Sequence, residues 1–254
     1  VPFLIRVRKY TIFEGYFGAH FVKNSPPEKR DSRLMRQMFG AVAPRYDFIT
    51  RAFSYGMDRG WKREAVERAV LPPEPVILDL ACGTGDFARL AASRLPGARI
   101  VAADLTHGML LHARKNGIGR VACTDAMRLP FRDAAFDAVF VGYGLRNFPG
   151  LDGALAEIRR VLRPGGLLVS LDFFLPANPI LRRLCLAWLF LQGGFWGFLL
   201  HGRPRIYTYI PDSLRGFVSA DEFCSLLRST GYGKVAVRRF IFGGIALHWA
   251  ARDH

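Results

Sequence analysis

The chain predicts an α/β domain: a mainly parallel sheet, helices on both faces, and an antiparallel hairpin at its C-terminal end. Three observations predict it. Between residues 76 and 174 short runs rich in Val, Ile, Leu and Ala alternate with stretches of helical spacing, as strands buried on both faces do. One run, LDLACGTGDFA at 78–88, ends in a glycine turn that opens a helix. The segment KVAVRRFIFGGIALHWAARD at 234–253 reads as two strands joined at Gly243-Gly244. At 254 residues and 50% hydrophobic content the sequence supports one sizeable domain with a buried core.

In chain order, residues 1–30 form an arm mixing Arg and Lys with Phe, Tyr and Ile. It lacks an uninterrupted apolar core followed by a small-residue cleavage site, so it does not read as a secretory signal. A membrane-interfacial segment and a helix packed on its own domain both fit this composition. Pro26-Pro27 separates the arm from a main domain at 31–254. A helix over 31–39 leads to PRYDFITRAFSYGMDRGWKREAVERAV at 44–70, helical on both sides of Gly56 and stopped by Pro72, Pro73 and Pro75. Strands are expected at 76–81, 99–105, 120–126, 136–145 and 166–174, and helices at 86–95, 107–116 and 154–162. An insertion at about 176–216 contains LCLAWLFLQGGFWGFLL at 184–200. Its length is at or just short of a bilayer span, and it reads as an apolar cap or interfacial element.

Acidic residues close three successive strands. In an open parallel sheet ligands bind outside the carboxyl ends of the strands, so Asp79, Asp104 and Asp125 should face one crevice. Asp104 lies 21 residues past Gly83 (104 − 83 = 21), where a carboxylate can accept from ribose hydroxyls. Asp125, followed by Ala126, can accept from an adenine amino group. The turn Gly83-Thr84-Gly85 with Ala88 fits a dinucleotide and a sulfonium cofactor alike. A nicotinamide reading leaves Asp125-Ala126 without a role and finds no dehydrogenase acid. A methyl-donor reading uses every residue, with Gly83 and Gly85 admitting the methionine portion of S-adenosylmethionine and Asp79 helping to bind its ammonium group, directly or through backbone. The bland alternatives are that Asp79 caps a turn and Asp125 is a solvated loop residue.

The formal net charge is +15, from 36 Lys and Arg against 21 Asp and Glu, which draws the molecule to nucleic acid or to an acidic membrane face. The basic residues are scattered and no RNA-recognition motif is visible, so nucleic acid is not an expected partner. Cys82, Cys123, Cys185 and Cys224 form no C-x-x-C pair, and the histidines no H-x-x-x-H pair, so a reducing cytosol and no metal site are expected.

From about Met38 to Arg252 the sequence resembles the quinone-biosynthesis C-methyltransferases, within the class I S-adenosylmethionine-dependent methyltransferases. The resemblance rests on FGAVAPRYDFITRAFSYGMDRGWKR, LDLACGTGD, DAMRLPFRDAAFD, GYGLRNF, EIRRVLRPGG, YTYIPDSL and ALH. The glycine motif and LRPGG are common among methyltransferases; YD…SYG…WKR, GLRN and YTYIPDSL together are more specific. The resemblance implies a Rossmann-like, seven-stranded fold and methylation of a demethylmenaquinol or a methoxy-polyprenyl-benzoquinol. It implies cofactor contacts at Thr84, Asp104 with its neighbour Leu105, Asp125, Ala126 and Gly142. At Gly142 such enzymes often carry Ser, and only backbone remains here; Asp125 and Asp58 replace a frequent Asn and His.

Methylating a quinol carbon requires an electron-rich ring, supplied by loss of a phenolic proton. Arg146, in GLRN, is expected to stabilise the phenolate, and Tyr46 to orient the hydroxyl, while a water, His201 or Asp58 takes the proton. A structural ion pair and a buried core ring are the alternatives for Arg146 and Tyr46. A polyprenylated quinol resides in the bilayer, so an enzyme peripheral at the inner face of the membrane is expected. Arg6, Arg8, Lys9, Arg182 and Arg183 would meet anionic headgroups, and Phe190, Phe195, Trp196 and Phe198 lipid or the prenyl tail. A homodimer is compatible with the sequence. Other acceptors, or transfer of a group other than methyl on the same fold, are the remaining readings.

Overall fold

The structure, a computed structural model, describes residues 35–36, 39–40, 42–202 and 209–254. The arm at 1–30, and most of the helix expected over 31–39, lie outside the described residues.

Ahead of the sheet, after helical residues at 35–36 and 39–40, lie two short helices, α1 (Tyr46–Phe53) and α2 (Asp58–Glu67). Five parallel strands follow: β1 (Val76–Leu80), β2 (Arg99–Asp104), β3 (Val121–Cys123), β4 (Phe136–Gly142) and β5 (Leu162–Phe173). Between them run α3 (Asp86–Arg94), α4 (His107–Lys115) and α5 (Leu151–Val161). After β5 come α6 (Pro179–His201), α7 (Tyr209–Arg215), α8 (Ala220–Ser229), β6 (Tyr232–Phe240) and β7 (Ile245–Arg252). The sheet order is β3-β2-β1-β4-β5-β7-β6, with β7 antiparallel to both neighbours. The winding reverses between β1 and β4, so a crevice opens beyond their carboxyl ends.

The central strands are apolar because both faces are covered. On β1, Leu78 and Leu80 join a core with Val139, Leu155, Ile158, Leu168 and Phe223, while Ile77 joins Trp61, Phe87, Phe140, Leu171 and Trp249 on the other face. Each such side chain contributes roughly 1.5–3 kcal/mol by leaving water. A third cluster, Val42, Ile49, Phe53, Met109, Leu189, Ile210 and Leu214, packs α1, α4, α6 and α7 over the crevice.

The expected boundaries shift where long-range pairing overrides local signals. β5 begins at Leu162 rather than 166, because Leu162 pairs with Phe136 ahead of a register shift. The 136–145 strand stops at Gly142, and residues 145–147 turn instead. The hairpin bends over four residues, since Phe240 pairs with Ile245, so Gly243-Gly244 is half of its turn. Helices α7 and α8 were not read from the sequence. α8 nevertheless carries a capping box in which Ser219 accepts from Glu222 N and Glu222 from Ser219 N.

The stretch at 184–200 is the body of a longer helix. Asn178 caps its start by accepting from the Ile180 and Leu181 amides, and left-handed Gly202 ends it. This helix, α6, is long and apolar enough to cross a membrane. Yet Leu189 is buried in the cluster over the crevice, and Trp196 packs against that cluster. Its opposite face is also apolar: Ile180, Leu184, Leu191, Phe195 and Phe198 recur at helical spacing and stay exposed.

Candidate active site

The crevice holds a cleft of about 710 Å³ lined by Gly83, Asp104, Leu105, Asp125, Ala126 and Gly142 together with Tyr46 and Tyr143. The glycine turn is fixed to β2 by Asp104, whose Oδ2 accepts from Gly83 N (2.9 Å) and Oδ1 from Thr106 N (2.7 Å). Burial raises the Asp104 carboxyl above its ordinary range, while the two amides pull it down. Gly83 takes φ 55°, a left-handed conformation, and a Cβ there would lie 3.4 Å from the Tyr46 ring. Asp125 Oδ1 accepts from Met127 N (2.9 Å), which turns the carboxylate at the end of β3.

A smaller cavity of about 450 Å³ lies behind the turn, lined by Asp79, Thr84, Asp58, Lys62, Asp86, Tyr46 and Tyr143 among others. Asp79 Oδ2 accepts from Ala88 N at 2.9 Å, so it caps the turn, but Oδ1 is buried and has no partner. Burial pushes the Asp79 carboxyl up to about 7, against the pull of the Ala88 amide and Lys62. Lys62 Nζ contacts Asp58 (3.3 Å) and Asp86 (2.7 Å), and Ser54 Oγ donates to Asp58 (3.0 Å). Asp58 is thus paired on both oxygens and lines this cavity. Thr84 Oγ1 donates to Asp47 on α1, tying the turn to the first helices. Gly85 lines neither of these two cavities; it starts α3 at φ 82°, where a Cβ would lie 2.9 Å from Ile118 Cγ1.

A third cavity of about 520 Å³, largely apolar, is lined by Val42, Ile49, Phe53, Phe173 and Ile210, with Tyr46, Thr50, Ser54, Tyr143, Arg146 and Tyr209 as its polar members. Arg146 is buried here. Its Nη1 donates to Asp172 Oδ1 (2.5 Å) and to the Tyr143 carbonyl (3.0 Å), its guanidinium stands 5.2 Å from the Phe173 ring centre, and its Nε has no partner. Burial opposes the charge, but Asp172 outweighs it and keeps the guanidinium protonated. The ion pair is therefore real, and Arg146 faces a cavity as well. Tyr46, whose hydroxyl is raised above its usual range chiefly by burial, lines all three cavities. No side-chain geometry is described for His201.

The structure thus gathers Asp104, Leu105, Asp125, Ala126, Gly83 and Gly142 in one cleft, Asp79 and Thr84 behind it, and Arg146 across Tyr46 from both. A Cβ at Gly142 would lie 3.0 Å from Phe87, which crowds any larger residue there. Sequence reasoning missed Lys62, Asp172 and Tyr143. A large aromatic between two glycines was the available signal for Tyr143. Carboxylates at three depths, one with a buried unpartnered oxygen, suit a ligand carrying an ammonium group, a diol and an amino heterocycle.

Residues 27–252 match the model of the ubiE/COQ5 methyltransferase family. The demethylmenaquinone methyltransferase of Deinococcus radiodurans is 38% identical over 235 residues, covering 89% of this chain and 97% of its own. That of Thermus thermophilus is 38% identical over 216 residues, covering 83% and 98%. The ubiquinone/menaquinone biosynthesis C-methyltransferase UbiE of Paracoccus denitrificans is 36% identical over 236 residues, covering 90% and 94%. Among solved structures, a methyltransferase bound to the Haloferax volcanii Trm112 activator superposes with a TM-score of 0.62 at 18% identity, covering 85% and 98%. The [4+2]-cyclase SpnF also gives 0.62 at 18% identity, covering 91% and 99%. These structures share the fold.

Proposed function

The chain belongs to the ubiE/COQ5 methyltransferase family, and on that premise we propose that this S-adenosylmethionine-dependent C-methyltransferase acts on a prenylated quinol taken from a membrane surface. The relatives named above support a quinol of menaquinone or ubiquinone biosynthesis. The observation that carries the reading is the pair of compartments that meet at Tyr46: a cleft ringed by carboxylates, and an apolar cavity holding one buried guanidinium.

Asp79 Oδ1 takes the cofactor's ammonium group, Asp104 its ribose hydroxyls, and Asp125 its adenine amino group, with Leu105 and Ala126 against the base. Gly83, Thr84, Gly85 and Gly142 shape the backbone around the methionine portion. Bound S-adenosylmethionine supplies a methyl group whose bond to sulfur breaks as the ring-carbon bond forms, the ring losing one proton. The third cavity excludes water from the acceptor ring and holds Arg146 where phenolate charge develops. A guanidinium stays protonated, so Arg146 is an electrostatic partner and not the base. Tyr46 orients the quinol hydroxyl from between the compartments. Asp58, held by Ser54 and Lys62 on the cofactor side, is poorly placed as the base.

The exposed apolar stripe of α6, 180 to 198, runs on the order of 27 Å and ends near exposed Arg182 and Arg183. Held along its other face, α6 lies in the plane of a leaflet, and the basic arm at 1–30 adds attraction to anionic lipid at the cytoplasmic face.

The test is mass spectrometry of products after incubation with methyl-labelled S-adenosylmethionine and reduced demethylmenaquinol, beside a benzoquinol. Label on a ring carbon of either supports the reading and identifies the ring. Cofactor binding by calorimetry with no label on either acceptor sinks it.

A further inference from the structure

The Tyr143 side chain has no part in the proposed cofactor contacts or in the Arg146–Asp172 ion pair, yet four features of the residue are unusual. Its backbone is left-handed, with φ 60°, a conformation that costs a bulky residue on the order of 1–3 kcal/mol and persists only when its surroundings impose it. The surroundings do impose it: Tyr143 N donates to the Leu171 carbonyl (2.7 Å), and its own carbonyl accepts from Arg146 Nη1 (3.0 Å) and Asn147 Nδ2 (3.3 Å). The ring is held from two sides, by Phe173 with ring centres 5.4 Å apart and by Lys62 Nζ 5.7 Å from its centre. The hydroxyl is buried without a hydrogen-bond partner. Finally, Tyr143 lines all three cavities, so it stands beside the cofactor cleft and the Arg146 cavity at once.

A buried hydroxyl left unpaired is destabilising, and side chains held this firmly around one are expected where a ligand completes the bond. We propose that the Tyr143 hydroxyl donates a hydrogen bond to a ring oxygen of the aromatic acceptor, making Tyr143 an acceptor-binding residue that positions the ring between the methyl donor and Arg146. Burial pushes this phenol well above its ordinary range, so it remains a neutral donor at any working pH. A dihydroxylated ring suits the pair: Arg146 favours the oxygen that becomes phenolate, and a neutral donor suits the oxygen that keeps its proton. This rests on the quinol reading above.

Tyr143→Phe keeps the ring, its stacking and the backbone clamp, and removes one oxygen. The variant is compared with wild type in S-adenosylmethionine affinity by calorimetry, in kinetics on a water-soluble short-chain quinol, and in thermal midpoint without substrate. The expected result is an unchanged cofactor Kd, a roughly tenfold lower kcat/KM borne mainly by KM, and an equal or higher midpoint, since an unpaired buried group has been removed. Unchanged kcat/KM overturns the proposal. A cofactor Kd weakened by the same factor assigns the hydroxyl to the cofactor and overturns it too, as does a lowered midpoint, which would reveal a structural partner. A wild-type enzyme that binds cofactor but methylates no quinol removes the quinol reading itself, and this proposal with it.

Discussion

The cofactor cleft and the Arg146 cavity adjoin, but they are built differently. In the cleft, backbone amides hold the carboxylates: Gly83 and Thr106 on Asp104, Met127 on Asp125, and Ala88 on Asp79. Each contact joins groups at strand ends and turns, within one strand–turn–helix unit or between adjacent strands. The Arg146 cavity is walled by side chains from α1, α7, β5 and the turn after β4, and it keeps two buried groups unpaired, Tyr143 Oη and Arg146 Nε. Both halves therefore leave bonds for a ligand to make, the carboxylate side one, at Asp79 Oδ1, and the cavity two. On the function proposed above, one half would hold a constant cofactor and the other is the half in which specificity can vary.

The largest expected effect tests whether the cavity depends on its ion pair. Asp172→Ala leaves the Arg146 charge buried and alone, and should cost about 3–5 kcal/mol in urea unfolding. A loss below about 1 kcal/mol would mean that Arg146 finds other partners and that the cavity does not depend on this ion pair. Next, Arg146→Lys keeps the charge beside Asp172 but loses the planar fork. On the order of a hundredfold loss in kcat is expected, with cofactor Kd within about twofold. A matching loss of cofactor affinity would erase the division between the two halves.

On the cleft side, the Asp79 carboxyl lies at about 7 in the free protein, raised above its ordinary value. The neutral acid therefore predominates below about 7 and the carboxylate above it. An ammonium group binds the carboxylate, so cofactor affinity should fall by up to about tenfold per pH unit below about 7 and level off above it. Calorimetry in two buffers of different ionisation enthalpy would show a proton released near pH 6. Affinity that is flat across this range would separate Asp79 from the ammonium group. The smallest effect concerns α6: Leu191→Glu with Phe195→Glu should weaken binding to anionic liposomes by several-fold and leave turnover of a water-soluble acceptor unchanged. Unaltered liposome binding would detach α6 from the membrane.

The same contrast decides what could be read from the sequence. Asp79, Gly83 and Asp104 belong to a strand, its turn and the next strand, so local periodicity placed them at one crevice. The cavity joins Tyr46 to Arg146, 100 residues apart (146 − 46 = 100), and no local pattern carries that contact. Tyr143 shows the difficulty most clearly. In Gly142-Tyr143-Gly144 a glycine would be expected to take the left-handed bend. Gly144 instead has φ −100° and serves close approach, since a Cβ there would lie 2.6 Å from Ala81 Cβ, and Gly142 abuts Phe87. The bend falls on the residue between them. α6 was legible as grease but not as two faces, because an all-apolar helix has no polar stripe to mark its exposed side. The box from Ser219 to Glu222 was a readable start for α8.

The position of β7 has a consequence for how the chain is made. It is the last strand of the sheet to emerge during synthesis, yet it lies between β5 and β6 and pairs along its length with both. Until residues 245–252 emerge, β5 offers a bare, strongly apolar edge and β6 has no partner, while α6 is already out with its grease exposed. The nascent chain therefore passes through an interval in which it is at its most adhesive, and a ribosome pausing before residues 245–252 emerge would prolong that interval. Yield of soluble protein should depend on translation speed and chaperone supply while residues 245–252 are awaited more than on the stability of the finished fold.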